Sequence, residues 1–180
     1  MIIGLVGKKR VGKDTVADYL CNKYGFIKYG FADPIKQIGQ LMFDFSPDEE
    51  LKEVVDKRWG ISPREFYQKF GTEYGQYILP NQFPQIFKNI DSKSFWVKRF
   101  QIWYEKNKDK KIVITDIRFL HEFNIIKDMG GYIIKIKRET GLVDNHISEN
   151  LELSDDNFSS IVHNNGTKDQ LLEKIKYLKN

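Results

Sequence analysis

A strand-length apolar run, Met1 to Val6, passes directly into Gly7-Lys8-Lys9-Arg10-Val11-Gly12-Lys13-Asp14-Thr15 and then into apolar residues at helical spacing. This order of strand, glycine-rich turn and helix constrains the fold more than any other feature of the chain. Two glycines four residues apart, with lysine after the second, let the backbone curl until successive N–H groups point inward. The next helix adds the positive end of its dipole. Such a turn is built to hold phosphate. Gly7 and Gly12 supply the curl, Lys13 would reach the outer phosphates of a nucleoside triphosphate, and Arg10 adds a cation. In the commonest form of the motif a Ser or Thr follows the lysine and serves magnesium; here Asp14 stands there, with Thr15 next. Thr15 is expected to touch a phosphate. Asp14 reads as a carboxylate of the magnesium shell or of the acceptor side, or as a first-turn acid complementing the helix dipole.

The remaining segments alternate between the strand and helix periods. Residues 2–6 form a buried strand, followed by a helix with Val16, Ala17, Leu20 and Tyr24 on one face. Residues 26–31 read as a second strand. A helix beginning at Asp33-Pro34 has Ile35, Ile38 and Leu41/Met42 as its expected buried face. Residues 48–59 read as a short helix. Ser62-Pro63-Arg64-Glu65 carries a capping box, starting a helix with Phe66, Phe70, Tyr74 and Ile78 on one side. Gly71 and Gly75 interrupt that pattern at a cost of about 1 kcal/mol each relative to Ala. Close packing or a ligand passing over Gly71-Thr72 would offset it. Residues 79–91 read as loop, 94–107 as a helix aligning Trp96, Phe100 and Trp103, and 112–115 as a central strand. A helix over 119–129 stops at Gly130-Gly131. Strands over 132–137 and 160–163 and a last helix with Leu171, Leu172, Ile175 and Leu178 complete the chain. Residues 138–157 show no periodicity and read as a mobile flap. The expectation is one α/β domain over residues 1–180, a five-stranded parallel sheet with helices on both faces.

Ile112-Val113-Ile114-Thr115-Asp116 is an apolar strand ending in a carboxylate, with Arg118 two residues on and Glu122 one turn further. Ligands of open α/β sheets bind outside the carboxyl ends of the strands, which places Asp116 and Arg118 near Gly7–Thr15. Asp116 suits magnesium or its water, or a helix cap; Arg118 suits an anion, or an ion pair with Glu122. The three histidines lie far apart and have no ligand spacing with Cys21, so no other metal site is read. A single cysteine excludes an internal disulfide and suits a reducing cytoplasm; Cys21 reads as packing. No stretch approaches the ~20 apolar residues of a membrane span. Net charge is +4, with basic residues in the phosphate loop and solvated turns rather than along one stripe. That suits an anionic small molecule and no stable nucleic-acid partner, although 14% aromatic content would permit base stacking.

With those segments placed, the whole chain resembles the deoxynucleoside monophosphate kinases of tailed phages and large DNA viruses. The resemblance rests on Gly7–Thr15, Ala32-Asp33-Pro34-Ile35-Lys36, Gly71-Thr72-Glu73, Phe95-Trp96-Val97 and Thr115-Asp116-Ile117-Arg118 with Glu122. It extends to His146-Ile147-Ser148-Glu149 and Asn164-Asn165-Gly166-Thr167. Phosphomevalonate kinases of the animal type share several of these blocks, so the resemblance implies the reaction more narrowly than the acceptor. It implies a P-loop kinase fold that moves the γ-phosphoryl of ATP, with Mg²⁺, onto a deoxynucleoside 5′-monophosphate. Lys13 would serve the β- and γ-phosphates, Arg118 the acceptor phosphate, and Arg138 a flap closing over the transferred group, with Arg10 serving either ligand. Asp14 and Asp116 would hold magnesium, directly or through water. Asn164, Gly166 and Thr167 would lie beside the adenine, and Lys36, Gln68, Thr72, Trp96 and Glu149 would line the acceptor pocket. Phage members are often dimeric, so the resemblance admits a homodimer.

Overall fold

Strand β1 (Ile2–Val6) is buried along its whole length, as a purely apolar strand covered on both faces must be. In the computed structural model, which describes residues 1–139, 151 and 153–177, it lies at the centre of a parallel sheet. The other strands are β2 (Ile27–Tyr29), β3 (Ile112–Ile114), β4 (Tyr132–Lys137) and β5 (Ser160–His163). Their order is β2-β3-β1-β4-β5. Ile3 of β1 pairs with Val113 on one side and Tyr132 on the other. All five strands therefore end at one edge, beside the turn after Val6.

Alternation along the strands divides the packing. On one face Ile3, Leu5, Val113, Ile134, Ile136 and Val162 meet Val16, Ala17 and Leu20 of α1 (Lys13–Tyr24) and Leu171 and Ile175 of α7 (Lys168–Tyr177). Cys21 packs against this core, and burial pushes its thiol upward. The opposite face carries α6 (Leu120–Asp128), whose Phe123 and Ile126 are buried.

The chain packs as two compact units, Met1–Gly30 with Tyr104–Asn180, and Phe31–Trp103. The second unit is an insertion between β2 and β3 with its own aromatic cluster. It holds α2 (Asp33–Phe43), α3 (Pro63–Lys69), a π-helix (Phe70–Ile78), α4 (Leu79–Gln82) and most of α5 (Phe95–Glu105).

Several expectations need correction here. Residues 48–59 form turns, not a helix. Ser46 and Asp48 side chains accept from the backbone N–H groups of Asp48 and Glu50, a local alternative to helical bonding. Arg58 then clamps Asp44 and Asp56, and Asp56 bridges to Ile61. In α2 the buried face is Pro34, Ile35 and Gly39, while Leu41 is 87% exposed and Met42 also faces solvent. Gly39 lets the rings of Tyr67, Phe45 and Phe66 approach closely, so the helix packs on the face that carries residue 39. Ile78 is exposed. Leu79–Gln82 and Pro84–Phe87 form short helical turns within the expected loop. The flap falls mostly on residues 140–150 and 152, outside the described residues. No helix among the described residues is long and apolar enough to cross a membrane.

Candidate active site

Between β1 and α1 the backbone takes conformations that side chains resist. Gly7 has φ 152°, and a Cβ there would strike the Ile136 carbonyl. Gly12 has φ 105°, and a Cβ would lie 2.8 Å from Asn164 Nδ2 and 2.9 Å from Leu171. Arg10 is held at φ 63° without being glycine, a strain of about 1–3 kcal/mol that recurs at ligand-binding sites. Lys13 Nζ donates to the carbonyls of Gly7 at 2.7 Å and Lys8 at 2.8 Å, spanning the loop. The N-terminus of α1 has no side-chain cap, so its first-turn N–H groups remain suited to an anion. Asn164 fixes the loop from the far side: its buried Nδ2 donates to Val11 O at 2.8 Å.

Two cavities flank this loop, both within the first unit. The smaller, about 330 Å³, is lined by Arg10, Gly12, Lys13, Asp14, Thr15, Arg138, Asn164, Gly166 and Lys168 among others. The larger, about 610 Å³, takes in Gly7, Lys8, Lys13, Asp116, Arg118, Lys135, Lys137, Arg138 and His163. Lys13 and Arg138 stand on the wall of both. On β4, Lys135 and Lys137 are held by one carboxylate, Asp155, whose pKa they lower.

The turn after β3 carries Asp116 and Arg118 to the larger cavity. Glu122 meets Arg118 through the backbone. Its Oε2 accepts the backbone N–H of Arg118 at 2.8 Å and of Phe119 at 3.1 Å. The side chain is only 3% exposed, and burial first, then repulsion from Asp116, raises its carboxyl to about 8.

The structure thus gathers Gly7, Arg10, Gly12, Lys13, Asp14, Thr15, Asp116, Arg118, Arg138, Asn164 and Gly166 around the two cavities. Asn164 gives one amide N–H to the loop. Thr167 caps α7: its hydroxyl accepts from Gln170 N at 3.3 Å while Gln170 Oε1 accepts from Thr167 N at 2.9 Å. Lys36, Gln68, Thr72 and Trp96 belong to the second unit. There Lys36 pairs with Glu49 at 3.4 Å. Trp96 is 5% exposed and donates its indole N–H to Gly71 O at 2.8 Å. A Cβ on Gly75 would fall 2.7 Å from that indole, and one on Gly71 2.8 Å from Ile35. Close packing therefore accounts for both glycines, and Trp96 packs against Gly75. Glu149 lies outside the described residues. Sequence reasoning missed Lys8, Lys135, Lys137, His163 and Lys168 as cavity-lining groups. Alternation along β4 puts Lys135 and Lys137 on one face, the signal that could have found that pair.

Comparison with known proteins agrees with this geometry. A family model described as deoxynucleotide monophosphate kinase matches residues 1–60 and 39–175. A protein of Acanthamoeba polyphaga mimivirus, provisionally named a deoxynucleotide monophosphate kinase, is 37% identical over 97% of this chain and 94% of its own length. The deoxynucleotide monophosphate kinase of Escherichia phage RB69 is 23% identical over 97% of the chain and 98% of its own. That alignment runs to 253 positions, longer than this chain, so the phage protein carries additional segments. Among solved structures, shikimate kinase from Aquifex aeolicus superposes with TM-score 0.54 at 13% identity, covering 99% of this chain and 96% of its own. A sugar kinase from Janibacter gives 0.51 at 10% identity, covering 99% and 93%. These two likenesses carry the kinase fold and nothing narrower.

Proposed function

The chain belongs to the deoxynucleotide monophosphate kinase family, and from that membership we propose how its residues divide the transfer of the γ-phosphoryl of ATP to a deoxynucleoside 5′-monophosphate. The acceptor is a phosphate monoester, already ionised at neutral pH, so the chemistry needs no strong general base. Catalysis reduces to positioning two anions in line and neutralising charge on the group that moves.

The observation that carries this reading is the sharing of Lys13 and Arg138 by two adjoining cavities. Each cavity can hold one anionic substrate, with the shared cations at the boundary where the phosphoryl group passes. In this reading the smaller cavity takes the donor. The N–H groups of the loop and of the first turn of α1 hold its phosphates, Thr15 adds a hydroxyl, and Arg10 and Lys168 add charge. Lys13 exchanges its two carbonyl partners for β- and γ-phosphate oxygens. In the larger cavity Arg118 grips the acceptor's phosphate, and Arg138 neutralises the transferred group. Asp14 and Asp116 offer the hard oxygen donors that magnesium prefers, and one or two carboxylates with substrate phosphates complete its usual shell. Bound there, the ion would neutralise charge on the triphosphate. Lys36, Gln68, Thr72 and Glu149 stand as acceptor contacts on the strength of the sequence alone.

The test is ADP release from Mg-ATP with dGMP, dTMP, dCMP, dAMP, their ribose counterparts and mevalonate phosphate. Turnover with one or more deoxynucleotides, falling at least ~100-fold in Lys13→Ala, is the expected result. Turnover with mevalonate phosphate alone would overturn the acceptor assignment.

A further inference from the structure

Glu122 is built into the turn beyond what capping α6 requires. In an ordinary capping box the glutamate reaches back to a single N–H, that of the N-cap residue, from an exposed first turn. Here the N-cap residue, Phe119, has no side-chain oxygen, and its ring stacks on His121 at 5.4 Å. Glu122 satisfies the Phe119 N–H and also takes the Arg118 N–H on the same Oε2 atom, from a buried position. One residue earlier, Ile117 is buried against the strand at Gly4. The turn is therefore fixed twice in succession, by an apolar anchor at residue 117 and a carboxyl anchor at residue 118. The direction in which Arg118 leaves the backbone follows from those two points, and Arg118 lines the larger cavity.

We infer that Glu122 is a positioning residue for Arg118, fixing the backbone from which that arginine grips the acceptor's phosphate and leaving the ATP loop untouched. The inference rests on the assignment of Arg118 to the acceptor proposed above. Glu122 touches neither substrate. Its effect is on the affinity for the deoxynucleotide, and it runs entirely through Arg118.

The experiment is a double-mutant cycle in steady-state kinetics, using the best deoxynucleotide of the panel and varying each substrate separately. Arg118→Ala should raise KM for the deoxynucleotide by about tenfold or more, as loss of a charge-assisted contact does. Glu122→Ala should raise the same KM by several-fold and by no more than Arg118→Ala does, as a displaced positioning contact would, with KM for ATP within about twofold. The double variant should be no worse than Arg118→Ala alone, because the two residues act as one unit. Glu122→Gln keeps an oxygen that can accept both N–H groups and should bring KM back to within about threefold of wild type. If Glu122→Ala does not fold, Glu122→Asp, one methylene shorter, takes its place in the cycle. Multiplying effects in the double variant, or equal losses for both substrates, would overturn the inference while leaving the Arg118 assignment intact. An Arg118→Ala variant with unchanged deoxynucleotide KM would remove that assignment and the inference with it.

Discussion

The environment of Glu122 favours its protonated form. Burial and the neighbouring Asp116 raise its carboxyl from 4.5 to about 8, against the opposing pull of the Arg118 and Phe119 N–H groups. The sign of the consequence follows from linkage. Between about pH 4.5 and 8 the folded chain holds a proton that the unfolded chain has lost, so stability falls as pH rises. The contribution is complete below about 4.5 and is lost as pH rises through about 8. Glu122→Gln cannot titrate. The Tm difference between wild type and Glu122→Gln should therefore shift against wild type by on the order of ten degrees from pH 5 to pH 9, at roughly 2–4 °C per kcal/mol. A constant difference across that range would show that Glu122 does not ionise in it. Spacing placed Glu122 one turn from Arg118, which fits an ion pair. Its burial depends on α6 folding onto the sheet, and no local pattern carries that information. The position of Lys13 on the loop was legible for the opposite reason, because the two glycines that shape the turn lie beside it in sequence.

The π-helix shows what element-scale reading catches and what it misses. Phe66, Phe70 and Tyr74 recur every four residues, and the sequence correctly puts them on one helical face. The wide turn over Phe70–Ile78 keeps that spacing in line, so Phe70 stacks on Phe66 at 5.2 Å and on Tyr74 at 4.7 Å. Gly71 and Gly75 looked costly from propensity alone; the compensation comes from residues 35 and 96, far along the chain. Gly75→Ala tests this. A methyl group at 2.7 Å from an indole pinned by its bond to Gly71 O has nowhere to go. Overpacking costs about 1–3 kcal/mol and outweighs the gain in helix propensity of about 1 kcal/mol. The net loss, up to about 2 kcal/mol, should lower Tm by up to roughly 4–8 °C; an unchanged or raised Tm would show that packing does not require the glycine. The sheet was readable because each strand is an apolar run bounded by turns or glycines. Residues 48–59 were not, because helical apolar spacing lost to side-chain turns and the Arg58 clamp.

At the scale of the whole molecule a modest net charge of +4 conceals a local concentration of cations. Lys8, Lys13, Arg118, Lys135, Lys137 and Arg138 all line one cavity, with Asp116 and Glu139 the acids on its wall. Every one of those groups, and the phosphate loop itself, belongs to the unit formed by Met1–Gly30 with Tyr104–Asn180. A nucleotide should therefore act on that unit first. At about 100 times its Kd, a ligand that binds only the folded form adds about 2.7 kcal/mol, or roughly 5–11 °C in Tm for a chain of this size. With Mg-ADP, which is bound without turnover, scanning calorimetry should show a shift of that order, abolished in Lys13→Ala. The division into units sharpens the result. If they melt in two steps, the step that moves should be the one that removes hydrogen-exchange protection from Lys13–Tyr24, while the step that exposes Pro63–Lys69 stays in place. Equal movement of both steps would show that the units unfold as one body. No movement of either, at saturating Mg-ADP, would contradict the assignment of the donor to the loop of Lys13.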